Sequence, residues 1–230
     1  MTTRERILAA IEEVAQRLGA DLPGVVFVGA TVAALYETAR PLEIRPTNDV
    51  DVLTNVKLPA YYALMERLKS RGFKESREEG APVCRLELGN LLVDVMVPEP
   101  SVLGFSNAWY PEAFQNAGTF KLPSGRTIRA ITPVYFVATK LVAFASRGKG
   151  DPIGSKDIED IVTMLASKPA LAQEIAAGSG AVFDFVREKV RDLLKSESFE
   201  DAVFGCFLPD EAHQQQAGRF IDELKSILAG

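Results

Sequence analysis

The hydrophobic pattern of the chain changes character once, near residue 130, and that change bounds the folds open to it. Before it, short apolar runs are separated by glycine- and proline-marked turns. Val25-Val26-Phe27-Val28 follows Pro23-Gly24 and reads as a buried strand ended by Gly29. Asp49-Val50-Asp51-Val52-Leu53 alternates strictly and reads as a second strand. Val83 to Leu88 and Leu91 to Val97 flank Gly89-Asn90, a hairpin signal, and a weaker hairpin surrounds Pro123-Ser124-Gly125. Helical spacing joins Ile7, Leu8, Ile11, Val14, Ala15 and Leu18, with Gly19 as a stop, and further helices are expected over 30–39 and 59–71. After Pro133 the pattern is helical almost throughout. Val134, Val137, Leu141 and Phe144 form one stripe, and Ile158, Ile161, Val162 and Leu165 a second. Phe220, Ile221, Leu224, Ile227 and Leu228 form a third. The expected fold is α+β: a small mixed β-sheet core with flanking helices over residues 1–130, then a helical bundle over 131–230 packed on it.

Scarcities narrow the chemistry. The chain has 230 residues, long enough to bury a core without staples, but one histidine and two cysteines. His213 alone makes a Ser–His triad, a histidine-rich zinc site or an HExxH protease improbable chemistry here. Cys84 and Cys206 are far apart and form no CxxC pair, which fits a reduced cytoplasmic protein and small core residues. The N-terminal Met1 to Val14 segment is charged and amphipathic, unlike a signal peptide, and no apolar run reaches membrane-span length. The net charge of −5 gives no global affinity for nucleic acid, though a local basic groove is compatible with it. Any catalysis must therefore rest mainly on carboxylates, lysines and arginines.

The carboxylates supply the sharpest pattern. Residues i and i+2 of a strand share a face, so Asp49 and Asp51 point together. Side-by-side carboxylates repel unless a cation lies between them, and hard divalent ions suit oxygen ligands. Asp94 is a single charge in the apolar run Leu91 to Val97 and makes a natural third member, giving a site for two metal ions. A strand that ends in glycine and opens a helix, as at Gly29-Ala30-Thr31, lets backbone N–H groups approach phosphate. The plainer alternative is that aspartates at strand ends are solvated or capping residues.

Taken together, these residues resemble the DNA polymerase β-like nucleotidyltransferase superfamily: a hydrophobic strand, Gly29-Ala30-Thr31, then Asp49-Val50-Asp51, and later Asp94. Arg45 and Thr47, in the lead-in Arg45-x-Thr47-x-Asp49, match a variant common there. Ala138 to Phe144 around Lys140, then Arg147, then Lys156 to Ile161 with Asp157 and Asp160, resemble the helical part of the abortive-infection (AbiEii-type, type IV toxin–antitoxin) branch. The motifs span residues 25–162. Ala30 departs from the usual glycine pair and adds a methyl group where phosphate approaches.

The resemblance implies a cytoplasmic enzyme that moves a nucleoside monophosphate from a nucleoside triphosphate to a hydroxyl of RNA, such as tRNA, or of protein. Asp49, Asp51 and Asp94 would be the catalytic, metal-binding set, with two Mg²⁺ ions or Mn²⁺ in their place. Gly29, Ala30, Thr31, Arg45, Thr47, Lys140, Arg147, Asp157 and Asp160 would bind nucleotide. It also implies a cognate antitoxin as partner. A small-molecule (antibiotic) nucleotidyltransferase and a noncatalytic nucleotide- or partner-binding module of the same fold are the alternatives. On the residues alone, Lys140 and Arg147 share one helix face, either for phosphate or simply as a solvated face, and Asp157 also suits a helix N-terminus. Ser146 to Asp151 does not fit the GxxxxGK[ST] phosphate loop and reads as an interhelical loop. Trp109 and Tyr110 either stack on a base or cover the core. The basic set Arg187, Lys189, Arg191 and Lys195 is interleaved with acids and reads as a solvated face.

Overall fold

The computed structural model describes residues 1–36, 42, 44–99, 103, 106–147 and 150–228. The chain divides into two units, one of residues 1–35 and 46–132, the other of residues 36–45 and 133–230. It is an α+β protein: among the described residues, the strands lie in the first unit and the regular structure of the second is helical.

The first unit opens with helix α1 (Thr3–Leu18). Thr2 and Glu5 form a capping box at its start, and Gly19 ends it at φ 54°. Ile7, Ile11, Val14, Ala15 and Leu18 are buried, as their spacing requires. Strand β1 (Val25–Val28) is buried at every position. The short helix expected over 30–39 is a 3-10 helix over Ala30–Leu35, and positions 37–39 lie outside the described residues. Its alanines and β-branched residues are packed inside the unit, so burial and not helix propensity sets its form.

Strands β2 (Asp49–Thr54), β3 (Lys74–Glu75), β4 (Arg85–Leu88), β5 (Leu91–Met96), β6 (Gly118–Lys121) and β7 (Thr127–Ala130) complete the sheet, with α2 (Leu58–Ser70) and the short α3 (Tyr110–Gln115) between them. The described residues form one seven-stranded mixed sheet, ordered β3-β4-β5-β2-β1-β7-β6. Three hairpin-like antiparallel pairs, β3–β4, β4–β5 and β6–β7, flank the centre. At the centre β1 runs antiparallel to β2 and parallel to β7, while β2 runs parallel to β5. One side of β2, β4 and β5 is apolar: Val50, Val52, Leu86, Val93 and Val95 are buried. Tyr61 of α2 donates its hydroxyl proton to Val95 O at 3.0 Å, tying the helix to β5.

In the second unit, α4 (Pro133–Arg147) and α5 (Lys156–Ser167) pack closely, followed by α6 (Ala170–Ala177), α7 (Ala181–Leu193), α8 (Glu197–Gly205) and α9 (Glu211–Leu228). The three apolar stripes read from the sequence face the interior, except that Ile227 is half-buried. None of the described helices is long and apolar enough to cross a membrane.

Candidate functional site

The carboxylate face is assembled by strand register. Asp51 of β2 stands directly beside Asp94 of β5 in the parallel ladder, and Asp49 shares their side of the sheet. Adjacent strands are about 4.8 Å apart, so three carboxylates are brought to one patch. Asp49 is exposed, and Asp51 and Asp94 are half-buried. Thr47 accepts the Asp49 backbone N–H at 3.0 Å and so fixes the chain as it enters β2. Next to the patch, β1 ends in Gly29 at φ 73°, and Val28 pairs with Asp51. Gly29 lies so close to Asp51 that a β-carbon there would sit 1.9 Å from the carboxylate Oδ2.

A residue that sequence reasoning missed flanks this patch on the Asp94 side. Arg85 of β4 faces Asp94 across the hairpin and grips it with two parallel bonds, Nε to Oδ1 at 2.8 Å and Nη2 to Oδ2 at 2.7 Å. These bonds raise the already high Arg85 pKa further, and the Asp49 and Asp51 charges act in the same direction. The signal was present in the sequence. A two-residue turn at Gly89-Asn90 pairs Leu88 with Leu91, so counting outwards sets Arg85 opposite Asp94. Among the described residues, no group of three or more His, Cys, Asp or Glu side chains is disposed to hold one ion. Both oxygens of Asp94 are engaged by the Arg85 guanidinium, and carboxylate oxygens such as those of this patch are the ligands a hard divalent cation takes.

Ala30 and Thr31 lie in the 3-10 segment. Thr31 is fully buried, and its hydroxyl has no hydrogen-bond partner among the described residues, so it is not presented at the surface. Cys84 is buried beside the patch. Burial first, then the Asp94 charge, pushes its thiol up to about 12, which leaves it unreactive. Cys206, in the second unit, is likewise pushed up to about 12, chiefly by burial.

The second unit gathers the remaining expected residues into an ion cluster. Lys140 of α4 lies 3.3 Å from Asp157 Oδ1 and 2.5 Å from Asp160 Oδ2 on α5. Arg147, two turns on from Lys140, donates to both Asp157 oxygens at 3.1 Å. Arg45 approaches Asp160 at 3.6 Å and Glu159 at 4.0 Å. Asp157 and Asp160 are buried, and Ser155, not Asp157, caps α5 by accepting from the Ile158 N–H. Asp157 therefore acts as a counter-ion inside the unit. Lys140 is itself mostly buried, while the Arg147 side chain is 69% exposed and is the more accessible cation of that pair. Arg45 and Thr47, neighbours in the sequence motif, belong to different units.

Other candidates have structural work. Arg187 donates to the carbonyls of Ile175 and Ala176 at the end of α6, and Lys189 and Lys195 pair with Glu188 and Asp192. Arg191 donates to Leu228 O. Tyr110 opens α3 and reaches Met96 Sδ, and Trp109 is half-buried. His213 pairs with Asp210. Of Ser146 to Asp151, positions 148 and 149 lie outside the described residues.

No protein-family model and no curated protein matches the sequence. Among solved structures, the chain resembles JHP933 from Helicobacter pylori, with a TM-score of 0.52 at 13% identity, over 100% of this chain and 91% of that one. At that identity the likeness concerns the fold.

Proposed function

We propose that the chain is a divalent-ion-dependent nucleotidyltransferase, built on a nucleotidyltransferase core, that transfers a nucleoside monophosphate from a triphosphate to a hydroxyl of RNA or protein. The observation that carries this reading is the register of β2 against β5, which sets Asp51 beside Asp94 with Asp49 on the same face, next to the Gly29 turn. In the reaction the acceptor oxygen bonds to the α-phosphorus, the bond from that phosphorus to the bridging oxygen breaks, and pyrophosphate departs. The acceptor proton passes to the carboxylate patch or to water. A divalent ion held by Asp49 and Asp51 would neutralise the triphosphate there. Arg85 orients Asp94, and Gly29 leaves the space in which the Asp51 carboxylate sits.

The resemblance to the AbiEii-type branch supports a toxin role with a cognate antitoxin, and within the helical unit it assigns Lys140 and Arg147 to phosphate. Arg147 is the better placed of the two for an anionic ligand, because Lys140 is enclosed by Asp157 and Asp160. If RNA is the acceptor, a local basic groove must bind its phosphates, because the net charge of the chain is −5, and that binding should weaken steeply with salt.

The test is to offer each α-labelled nucleoside triphosphate, with Mg²⁺ and the purified chain, to a whole-cell lysate. Label entering RNA or protein, and lost on chelation, supports the reading and identifies the acceptor. No transfer from any triphosphate contradicts it. The grip of Arg85 on Asp94 favours a second reading, a noncatalytic nucleotide-binding module, in which triphosphates bind calorimetrically but no label moves.

A further inference from the structure

We propose that the cavity between α2 and the segment 75–85 is a docking pocket for a partner protein, which seats there an aromatic side chain flanked by lysine or arginine.

The cavity holds about 460 Å³ and is built wholly from the first unit. Ligand pockets span about 300–1,000 Å³. Its apolar lining is Tyr61, Tyr62 and Met65 of α2, with Ala81, Pro82 and Val83 from the segment before β4. Two of these side chains face solvent: Tyr62 is 62% exposed and Val83 72%. Neither serves the core, which α2 meets through Tyr61, Leu64, Met65 and Leu68. Tyr62 lies about 100° round the helix from Tyr61, off that buried stripe. Single apolar side chains are ordinary on a protein surface, but two that line one concavity make a patch that a partner can cover. The Tyr61 and Tyr62 rings stand edge-on, with centroids 6.1 Å apart and planes at 61°. A third ring laid against the exposed Tyr62 extends that arrangement, which favours an aromatic anchor.

Charge selects the partner. Both cations that line the cavity are engaged, Lys69 by Glu66 and Glu75, and Arg85 by Asp94. Glu78 and Glu79 are exposed on the same segment, and Glu87 accepts the Ser76 hydroxyl at 2.8 Å. Against these five glutamates stand Lys69, Lys74 and Arg77, so the cavity and its surroundings carry an excess of two negative charges once Arg85 is balanced by Asp94. Such a rim repels the phosphates of nucleic acid and attracts a basic polypeptide. It also disfavours a second copy of this chain meeting the first through the same surface, which would set glutamates against glutamates. A different protein with a basic segment is the complementary occupant.

The experiment titrates the isotope-labelled full chain with a capped pentapeptide that carries phenylalanine between lysine and arginine, followed by nuclear magnetic resonance. The amides of Tyr62, Met65 and Val83 are expected to shift saturably. Tyr62→Ser and Val83→Ser, each at an exposed position, should weaken the peptide about fivefold or more, the loss that marks an anchoring contact. Serine in place of the phenylalanine should abolish the shifts, and glutamates in place of the two cations should weaken binding about tenfold or more. No shift at these amides with millimolar peptide would overturn the proposal. So would affinity unchanged in both folded variants, or equal affinity for the peptide flanked by glutamates. Oligouridylate RNA shifting the same amides would mark a nucleic-acid surface instead and overturn it. Shifts there that grow with protein concentration alone would mark self-association and overturn it too. If one variant fails to fold, the other decides. Tyr62 and Val83 lie outside the carboxylate patch, so failure here leaves the transferase reading standing.

Discussion

A β-carbon at Gly29 would lie 1.9 Å from Oδ2 of Asp51, and Gly29 has a left-handed φ of 73°. The end of β1 and the carboxylate of β2 thus define one another's position, and both the backbone conformation and the space call for glycine. Gly29→Ala is expected to cost about 1–2 kcal/mol through φ alone. At roughly 2–4 °C per kcal/mol for a chain of this size, the melting temperature should fall by about 2–8 °C. The displaced Asp51 carboxylate should also weaken Mn²⁺ binding. A melting temperature and an affinity equal to wild type would show that the close approach is dispensable.

The ion cluster of the helical unit predicts unequal costs for its two cations. Lys140 is enclosed by Asp157 and Asp160, so Lys140→Met takes a mostly buried partner from two buried carboxylates, leaving them Arg147 and Arg45, and should destabilise by about 3 kcal/mol, the low end for a broken buried pair. Arg147 holds Asp157 from an exposed position, and Arg147→Ala should cost about 1 kcal/mol or less. Urea unfolding followed by circular dichroism measures both. The reverse order would mean that Lys140 is not the counter-ion on which the cluster depends.

The cysteines predict a pH dependence with a definite sign. Burial, with the nearby carboxylate charges, pushes both thiols up to about 12 from an ordinary value of 9.0. Above pH 9 the unfolded chain loses thiol protons that the folded chain keeps, so the unfolded state binds fewer protons and stability falls as pH rises toward 12. Below pH 9 this contribution is fully present. Thermal unfolding should therefore occur at lower temperature at pH 10.5 than at pH 8, with a smaller difference in Cys84→Ala. In the native state at pH 8, a disulfide reagent should leave Cys84 unlabelled until denaturant is added. Rapid native labelling of Cys84 would contradict its burial beside Asp94.

Much of the first unit was legible because its signals are local. Glycine and proline punctuation marks β1, and alternation marks β2. The Gly89-Asn90 turn marks the β4–β5 hairpin. What sequence pattern does not carry is the order of strands: β2 meets β5 across a whole helix and hairpin, so the adjacency of Asp51 and Asp94 is a tertiary fact. Asp94 read as a solitary charge because its strand was taken by itself. Reading the hairpin as a pair exposes Arg85 as its partner. In the helical unit, spacing placed Lys140 with Arg147 and Asp157 with Asp160 on shared faces. Their burial comes from the packing of α4 on α5, and Arg45 joins them from far along the chain. The 3-10 form of Ala30–Leu35 was not legible, because six small or branched residues carry too few turns to fix a period.

The central claim is that the Asp49–Asp51 face performs nucleotidyl transfer, and its most direct test compares wild type with Asp49→Ala, matched for folding, in transfer of α-labelled nucleoside monophosphate with Mg²⁺. The account predicts transfer by wild type and a loss of about a hundredfold or more in Asp49→Ala. Equal transfer by the two proteins would contradict it.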